Sequence, residues 1–217
     1  KISLTVPEGA NVFDIAKLVE QAGLGRAGEF VRLGLKDEGF LFPSTYFFSR
    51  KARERDVIQA MKKQFDRVWR ELGNDAPKEK TVTLASLVEK EARLAEERER
   101  IAGVYVNRIE KGMLLQCDPT VIYAAQLEGA WRGTIYRSDL DRKHAYNTYQ
   151  RVGLPPGPIA NPGRESLLAA LRPMKTDDLY FVAAPDGSGA HIFSRDYDAH
   201  QRAVTAYRRG QRAFDED

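Results

Sequence analysis

The sequence predicts an α+β fold, with a small N-terminal α/β unit over residues 1–48 and a mostly helical domain over residues 49–217. Three observations support this fold class. The chain opens with an alternating strand pattern, and amphipathic helical stripes then follow one another from Lys51 to Leu171. Near the end, two short apolar runs flank a glycine-rich turn, which is typical of a β-hairpin.

The composition is typical of a globular protein. The 217 residues are 42% hydrophobic and 30% charged, with a formal net charge of +3. Basic residues alternate with acidic ones, as in residues 51–56, so no nucleic-acid interface is predicted. The single Cys117 excludes an internal disulfide and a cysteine-rich zinc site, and the three histidines form no ligand motif.

No membrane or targeting segment is predicted. No apolar run reaches the roughly 18 residues that cross a bilayer, and no signal peptide is recognisable. The chain begins with Lys1 inside a predicted strand rather than with Met, so we expect it to be a fragment of a longer protein.

The N-terminal unit is predicted to hold one strand and two helices. Residues 2–6 alternate apolar and polar side chains, and Pro7-Glu8-Gly9 predicts a turn. The first helix is expected to end near Gly23. Apolar positions at helical spacing are Val12, Ile15, Ala16 and Val19 in the first helix, and Phe30, Val31 and Leu35 in the second.

The stretch Glu38–Tyr46 is rich in aromatic residues. Two interpretations are open: a hydrophobic plug between the two units, or one wall of a binding groove.

The second domain is predicted to be helical until its last quarter. Helical patterns cover residues 51–72, the segment around Glu91, and residues 101–112. Asn161-Pro162 is expected to cap a helix that runs to about Arg172. Residues 179–183 and 191–193 flank the turn at 185–189 and predict a hairpin, and a last amphipathic helix covers about 198–213.

Glu91 is the first candidate for a catalytic residue. It continues the apolar series of Leu84, Leu87, Val88 and Ala95 at helical spacing. A carboxyl against apolar walls has a raised pKa, which suits a general acid near neutral pH. Glu89 is turned about 200° away, at roughly 100° per residue, and is expected to be solvated.

A structural interpretation of Glu91, as an ion-paired glutamate, is favoured by the local pattern alone. Charged residues are mostly exposed, and Arg93 and Arg98 are near enough in sequence to pair with Glu91 at the end of its helix.

Two later segments carry further polar candidates. Gln116 precedes a predicted helix and has no obvious structural role, whereas Asp118 is a good helix N-cap with Pro119 at the first helical position. The long loop from Ala145 to Ile159 contains Tyr146-Asn147-Thr148-Tyr149 and is stiffened by prolines. A long loop of this kind is typical of a functional segment.

Four segments together resemble one known family. Leu84-Ala85-Ser86-Leu87-Val88-Glu89-Lys90-Glu91, Gln116-Cys117-Asp118-Pro119-Thr120-Val121-Ile122-Tyr123, Ala145-Tyr146-Asn147-Thr148-Tyr149 and Gly153-Leu154-Pro155-Pro156-Gly157 occur in this order. They resemble the YceG-like (MltG) family of endolytic murein transglycosylases, and residues 38–46 are similar to the segment before its catalytic region. The resemblance covers most of the chain.

The resemblance implies a site and a reaction. Glu91 would be the catalytic acid, and Gln116, Asp118, Tyr146, Asn147, Thr148 and Tyr149 would bind the glycan. The bond between N-acetylmuramic acid and N-acetylglucosamine in nascent peptidoglycan would be cleaved, leaving 1,6-anhydromuramyl ends. One glutamate would serve as acid and then as base, and no metal or cofactor is implied. Cys117 replaces a residue that is usually small and hydroxylic, and we expect no functional change from it.

The resemblance also implies a setting. Residues 1–48 would be the remnant of a LysM-like region, and an N-terminal anchor absent from this chain would hold the longer protein at the outer face of the bacterial cytoplasmic membrane. Peptidoglycan would be the substrate, with penicillin-binding synthases as partners.

Two alternatives remain. In a hydrolytic muramidase, water would replace the sugar hydroxyl, and Asp118 or Glu97 would be the second carboxylate. In a non-catalytic scaffold, the domain would bind glycan and recruit synthases.

Overall fold

The structure is a computed structural model that describes residues 1–215, with side chains described to residue 211. The predicted α+β class is confirmed, and residues 216 and 217 of the predicted second domain lie outside the described residues. The elements are β1 (Ile2–Thr5), α1 (Val12–Gln21), α2 (Ala27–Gly34), β2 (Thr45–Phe48), α3 (Glu54–Glu71), α4 (Lys78–Glu91), α5 (Arg98–Glu110), α6 (Asp118–Leu127), α7 (Arg137–Leu140), α8 (Arg164–Leu171), β3 (Tyr180–Ala183), β4 (His191–Ser194) and α9 (Tyr197–Asp215).

The described strands form two small antiparallel pairs. In the first, β1 lies beside β2 with Ile2 opposite Phe48, so the N-terminal unit closes on itself around α1 and α2. In the second, β3 and β4 form the predicted late hairpin, with Tyr180 opposite Ser194. The turn contains Gly187 and Gly189, both at positive φ, a backbone conformation that glycine adopts readily.

Helix α3 joins two hydrophobic cores. Its first half contributes Val57 and Met61 to the core of the N-terminal unit. Its second half contributes Phe65 and Val68 to a separate core beneath α4 and α8. Packing is therefore continuous across the predicted boundary between residues 48 and 49, and the division into two domains stays a prediction.

The aromatic stretch at residues 38–46 lies between these cores. Leu41 is fully buried in the N-terminal core, and Phe42 is buried in the core beneath α4. The ring of Phe40 meets that of Phe65 edge-on, with centroids 5.0 Å apart. These contacts favour the interpretation as a hydrophobic plug over a groove wall.

Glu38 ties the N-terminal unit to the helical domain. Its carboxylate accepts hydrogen bonds from the Val12 backbone N–H at 2.9 Å, the Tyr123 hydroxyl at 3.1 Å and the Asn161 side chain at 2.7 Å. We call these four residues the Glu38 clamp. Burial raises the pKa of Glu38 to about 7, although its hydrogen-bond donors oppose the rise.

The prediction that Asn161-Pro162 caps a helix is wrong. Helix α8 is preceded by Gly163 as its N-cap. The Asn161 side chain instead accepts from the Leu41 backbone N–H at 2.8 Å and donates to the Ala10 carbonyl at 3.0 Å, besides its bond to Glu38. Asn161 is a fully buried connector between distant segments, a role that local sequence does not reveal.

Candidate active site

Helix α4 is the central helix of the second domain. It packs against α8, α5 and α6, and every residue from Thr81 to Val88 is buried. The helix ends at Glu91, where Ala92 turns into an extended conformation. Glu91 therefore stands where the helix leaves the core. The expected continuation of the apolar stripe to Ala95 is wrong, because Ala95 lies beyond the helix and is exposed.

The Glu91 carboxyl lies against Cys117 and Tyr105. The Cys117 thiol donates a hydrogen bond to Glu91 Oε1 at 3.4 Å. Burial raises the pKa of Glu91 above its ordinary value, and the negative charge of Asp118 raises it further. The Cys117 hydrogen bond, the nearby His191 and the Tyr105 hydroxyl oppose this rise. The net direction favours the protonated form that an acid catalyst requires.

The residues near Glu91 are themselves unusual. Tyr105 is 1% exposed, and its hydroxyl finds no hydrogen-bond partner within 3.5 Å among the described side chains and backbone. Burial raises the pKa of both Tyr105 and Cys117, so both remain protonated near neutral pH. Sequence analysis did not identify either residue as a neighbour of Glu91, because Tyr105 has the pattern of a core position and no functional change was expected from Cys117.

The ion-pair interpretation of Glu91 is not supported. Among the described residues Glu91 makes no salt bridge, and Arg98 lies instead 3.9 Å from Glu89. The prediction that Glu89 is solvated is wrong. Its side chain is only 6% exposed, and it accepts a hydrogen bond from the Gly163 backbone N–H at 2.9 Å. A helix in the middle of a helical domain is covered on both faces, so opposite faces do not imply solvent.

Gln116 is exposed and has an unusual backbone conformation. Its φ of 51° is the one positive value at a non-glycine residue in the described chain. The left-handed region costs energy for a residue with a side chain, and such outliers cluster at functional sites. The backbone N–H donates to the Thr148 carbonyl at 3.1 Å, which leaves the side chain directed away from the core.

Asp118 has a different role from the predicted one. The N-cap of α6 is Cys117, so Asp118 is already the first helical residue and the cap prediction is wrong. Its Oδ1 accepts a hydrogen bond from the Tyr149 hydroxyl at 2.6 Å, and the Asp118 side chain is exposed. Burial and the nearby Asp118 raise the pKa of Tyr149, so the phenol stays a donor.

The loop after α7 is hydrogen-bonded to the start of α6. The Thr148 hydroxyl accepts from the Cys117 backbone N–H at 3.0 Å and pairs with the Thr120 hydroxyl at 2.9 Å. Because Cys117 in turn contacts Glu91, the structure brings Glu91, Gln116 and this loop together. We call Glu91, Cys117, Gln116, Asp118 and Tyr149 the Glu91 site.

The side chains of Asn147 and Thr148 form hydrogen bonds that hold the loop in place. Asn147 is 1% exposed, and its amide donates to the backbone carbonyls of Leu140 and Arg142 at 3.0 and 2.7 Å while accepting from the Tyr149 N–H at 2.9 Å. Thr148 is 2% exposed. Their polar groups are already used, so the geometry favours positioning over direct glycan contact, and the binding role stays a prediction.

Tyr146 lies between the Glu38 clamp and this loop. Its ring meets that of Tyr123 at a centroid distance of 5.1 Å, and its hydroxyl is close to Gly157, where an added Cβ would be 3.1 Å away. The clamp, through Tyr123, thus contacts the loop that contributes Tyr149 to the Glu91 site.

Glu97, the other candidate second carboxylate, is engaged elsewhere. Its two oxygens meet the backbone N–H and the ring Nδ1 of His191 at 2.8 and 2.7 Å. Neither oxygen is free to act directly on a substrate.

Among the side chains that the structure describes, no group of three metal-ligating residues is close enough to hold an ion. Within residues 1–215, no helix is both long enough and apolar enough to cross a membrane.

The fold and the site place this chain in a family. The YceG-like family model matches residues 1–206, and the chain belongs to that family. A Bacillus subtilis protein named endolytic murein transglycosylase is 42% identical over 176 residues, which are 78% of this chain and 48% of that protein. A Streptococcus pneumoniae strain D39 protein of the same name is 31% identical over 183 residues, covering 78% of this chain and 32% of the relative.

A solved structure agrees with this assignment. The crystal structure of a YceG-like protein from Listeria monocytogenes matches with a TM-score of 0.77 at 31% identity, covering 93% of this chain and 76% of that one. The chain spans less than half the length of the curated relatives described above.

Proposed function

We propose that this chain carries the catalytic domain of an endolytic peptidoglycan lytic transglycosylase, with Glu91 as its acid and base. The observation that carries the proposal is the Glu91 carboxyl itself. It stands at the end of a buried helix, its pKa is raised by burial, no described cation pairs with it, and exposed polar side chains adjoin it. The names of the relatives point to the same chemistry.

The reaction requires one proton donor that later accepts a proton. Protonated Glu91 donates to the glycosidic oxygen between N-acetylmuramic acid and N-acetylglucosamine as the C1–O bond breaks. The carboxylate then takes the proton of the sugar's own C6 hydroxyl, whose oxygen bonds to C1 and closes the 1,6-anhydro ring. Glu91 ends protonated, so no second carboxylate and no water are consumed.

The geometry around Glu91 suits this double role. A carboxyl with one weak thiol donor changes protonation state without breaking a network of strong hydrogen bonds. Tyr149 and Gln116, at the rim of the site, would orient the neighbouring sugars, and the φ of Gln116 keeps its side chain outward.

Hydrolysis is the second candidate, because Asp118 favours it. Asp118 is an exposed carboxylate close enough to Glu91 to raise its pKa by charge, and it could activate a water. Against this role, its Oδ1 is already occupied by the Tyr149 hydroxyl.

The deciding experiment is digestion of purified sacculi followed by mass analysis of the products. The wild type should release anhydromuramyl ends and Glu91→Gln should release none, whereas Glu96→Gln, an exposed neighbour on the same segment, should match the wild type. Reducing ends that vanish in Asp118→Asn would instead establish the hydrolytic muramidase. Glycan binding without any cleavage by the wild type would establish the scaffold.

The cellular setting belongs to the same proposal. The longer protein would act at the outer face of the cytoplasmic membrane, beside peptidoglycan synthases that make its substrate. Protease accessibility of the full-length protein in spheroplasts tests the location, and cross-linking to penicillin-labelled synthases tests the partnership.

A further inference from the structure

His191 and Glu97 form a hydrogen-bonded pair that the proposed reaction does not use. The residues are 94 positions apart, and their side chains are 9% and 12% exposed. Glu97 holds His191 twice, through its backbone N–H at 2.8 Å and through ring Nδ1 at 2.7 Å. Two bonds to one carboxylate fix both the start of β4 and the orientation of the imidazole.

The pair lies beside the Glu91 site. Glu97 ends a short 3-10 helix (Ala95–Glu97) that follows α4. Gly189 of the hairpin turn lies close to the side chain of Arg93, between α4 and this 3-10 helix. The Phe181 ring meets both the Tyr105 ring, at 5.8 Å, and the His191 ring, at 5.3 Å. The electrostatic influence of His191 on Glu91 is consistent with this proximity.

The second ring nitrogen of His191 is uncommitted. Because an ionised carboxylate can only accept, Nδ1 carries the proton that bonds to Glu97. Nε2 makes no hydrogen bond to the described residues, and the His191 side chain is only partly buried. In the neutral imidazole, Nε2 is then a hydrogen-bond acceptor held in a fixed direction.

We propose that His191 is a second glycan-binding residue, whose Nε2 accepts a hydrogen bond from a hydroxyl of the sugar next to the bond at Glu91, and that Glu97 is its positioning residue. This inference rests on the proposed function. A nearly buried carboxylate–imidazole pair is a weak source of stability compared with apolar packing, so stability alone is a poor reason for it. A fixed acceptor near the Glu91 site, beside two phenylalanine rings, is the kind of polar group that orients a glycan.

Two variants of similar shape distinguish the roles of the two ring nitrogens of His191. In His191→Asn the amide nitrogen takes the place of Nδ1 and retains the bond to Glu97, but nothing replaces Nε2. In His191→Gln the amide group reaches the place of Nε2, but the bond to Glu97 is lost. Both are built on Glu91→Gln, so that uncleaved glycan strands can be titrated and affinity is read without catalysis.

The expected result is that His191→Asn weakens glycan binding by about 3–10-fold, the loss of one hydrogen bond, while its unfolding midpoint stays near that of the parent. His191→Gln should bind more tightly than His191→Asn. Glu97→Gln should weaken binding as well, whereas its exposed neighbour Glu96→Gln should not.

A purely structural pair gives the reverse pattern. His191→Asn would then bind like the parent, and His191→Gln would melt earlier with unchanged affinity for glycan; either result overturns the inference. Because binding is measured without cleavage, failure of the wild type to cut sacculi would overturn the proposed function while leaving this test intact.

Discussion

Glu38 and Glu91 are two buried carboxyls with raised pKa values and opposite surroundings. Glu38 meets three donors within 3.1 Å, from the Val12 backbone, Tyr123 and Asn161. Glu91 meets one thiol at 3.4 Å. A carboxyl whose oxygens are already occupied holds segments together, whereas a carboxyl with one weak donor can exchange its proton with a substrate.

The number of strong donors therefore distinguishes the structural carboxyl from the proposed acid better than burial or the direction of the pKa shift does. Burial raises the pKa of both groups. Only the hydrogen-bond environment distinguishes them, and it does so through residues that lie far away in sequence.

The largest expected effect is on catalysis by Glu91→Gln. Glutamine keeps the shape but transfers no proton, so cleavage should fall by at least about 10²–10⁴-fold, the usual value of general acid catalysis. The unfolding midpoint should stay near that of the wild type, because the amide has the same shape and burial disfavours the charged form of the acid that it replaces. Release of anhydromuropeptides and a thermal melt measure the two. Residual activity within tenfold of the wild type would show that another residue is the acid.

Glu38→Ala should instead lower the stability of the fold. It leaves the Val12 N–H, the Tyr123 hydroxyl and the Asn161 amide without their acceptor, and each buried unsatisfied group costs about 1–3 kcal/mol. The free energy of unfolding should fall by about 3 kcal/mol or more, as read from urea denaturation. Glu96→Ala, at an exposed position, is the control. A loss below 1 kcal/mol for Glu38→Ala would mean that the clamp does not hold the two units together.

The raised pKa of Glu38 predicts a pH dependence of stability. The folded protein binds the proton more tightly than the unfolded chain, so this contribution is complete below pH 4.5 and is lost as the pH rises toward 7. At about 1.4 kcal/mol per pKa unit, the shift is equivalent to about 3 kcal/mol. Urea denaturation from pH 4.5 to 8 should show declining stability, with a shallower slope in Glu38→Gln. Stability that rises over this range in the wild type but not in Glu38→Gln would contradict the assignment.

Cys117 tests how much the single donor to Glu91 matters. The hydrogen bond from the Cys117 thiol lowers the pKa of Glu91. Cys117→Ala removes this bond, so the pKa of Glu91 should rise and the pH profile of cleavage should move to higher pH. We expect a loss of about 3–10-fold at neutral pH, the effect of one hydrogen bond. Cys117→Ser supplies a hydroxyl donor and should retain most activity. Equal pH profiles for the alanine variant and the wild type would remove Cys117 from the site.

The smallest expected effect concerns Gln116. Glycine accepts the φ of 51° without strain, so Gln116→Gly should leave the free energy of unfolding equal or raise it by less than about 1 kcal/mol. Cleavage should nevertheless decrease, because the side chain at the rim is lost. Urea denaturation and the sacculus assay measure the two quantities. A variant that is as active as the wild type would assign Gln116 a backbone role only.

Local patterns were sufficient to predict the longer helices, the late hairpin and the position of Glu91, whereas β2 and the short α7 were not predicted. The hairpin followed from its turn residues, and Glu91 from its place in the α4 stripe. Glu89 was misjudged because helical periodicity describes two faces, and in a central helix both faces are covered. The predicted helix cap at Asp118 was wrong by one residue. Aspartate is a favourable N-cap, but α6 already begins at Asp118, and its N-cap is Cys117.

The clamp and the His191 pair were beyond sequence reasoning. Glu38 and Asn161 are 123 residues apart, and Glu97 and His191 are 94 apart. No local period or motif connects such positions, because their contact is decided by how the helices pack. The sequence indicated only that these polar side chains have no evident role in their own local elements.

The long span of the clamp has a consequence for how the chain folds. Closing a loop of more than a hundred residues costs more entropy than forming a helix or joining adjacent helices, so contacts of this kind form late. Glu91 ends α4 and Cys117 is the N-cap of α6, so only α5 lies between them in the chain, and their contact spans 26 residues. We therefore expect the Glu91 site to be assembled in the folding nucleus, and the N-terminal unit to dock in a slower step that Glu38 variants selectively retard.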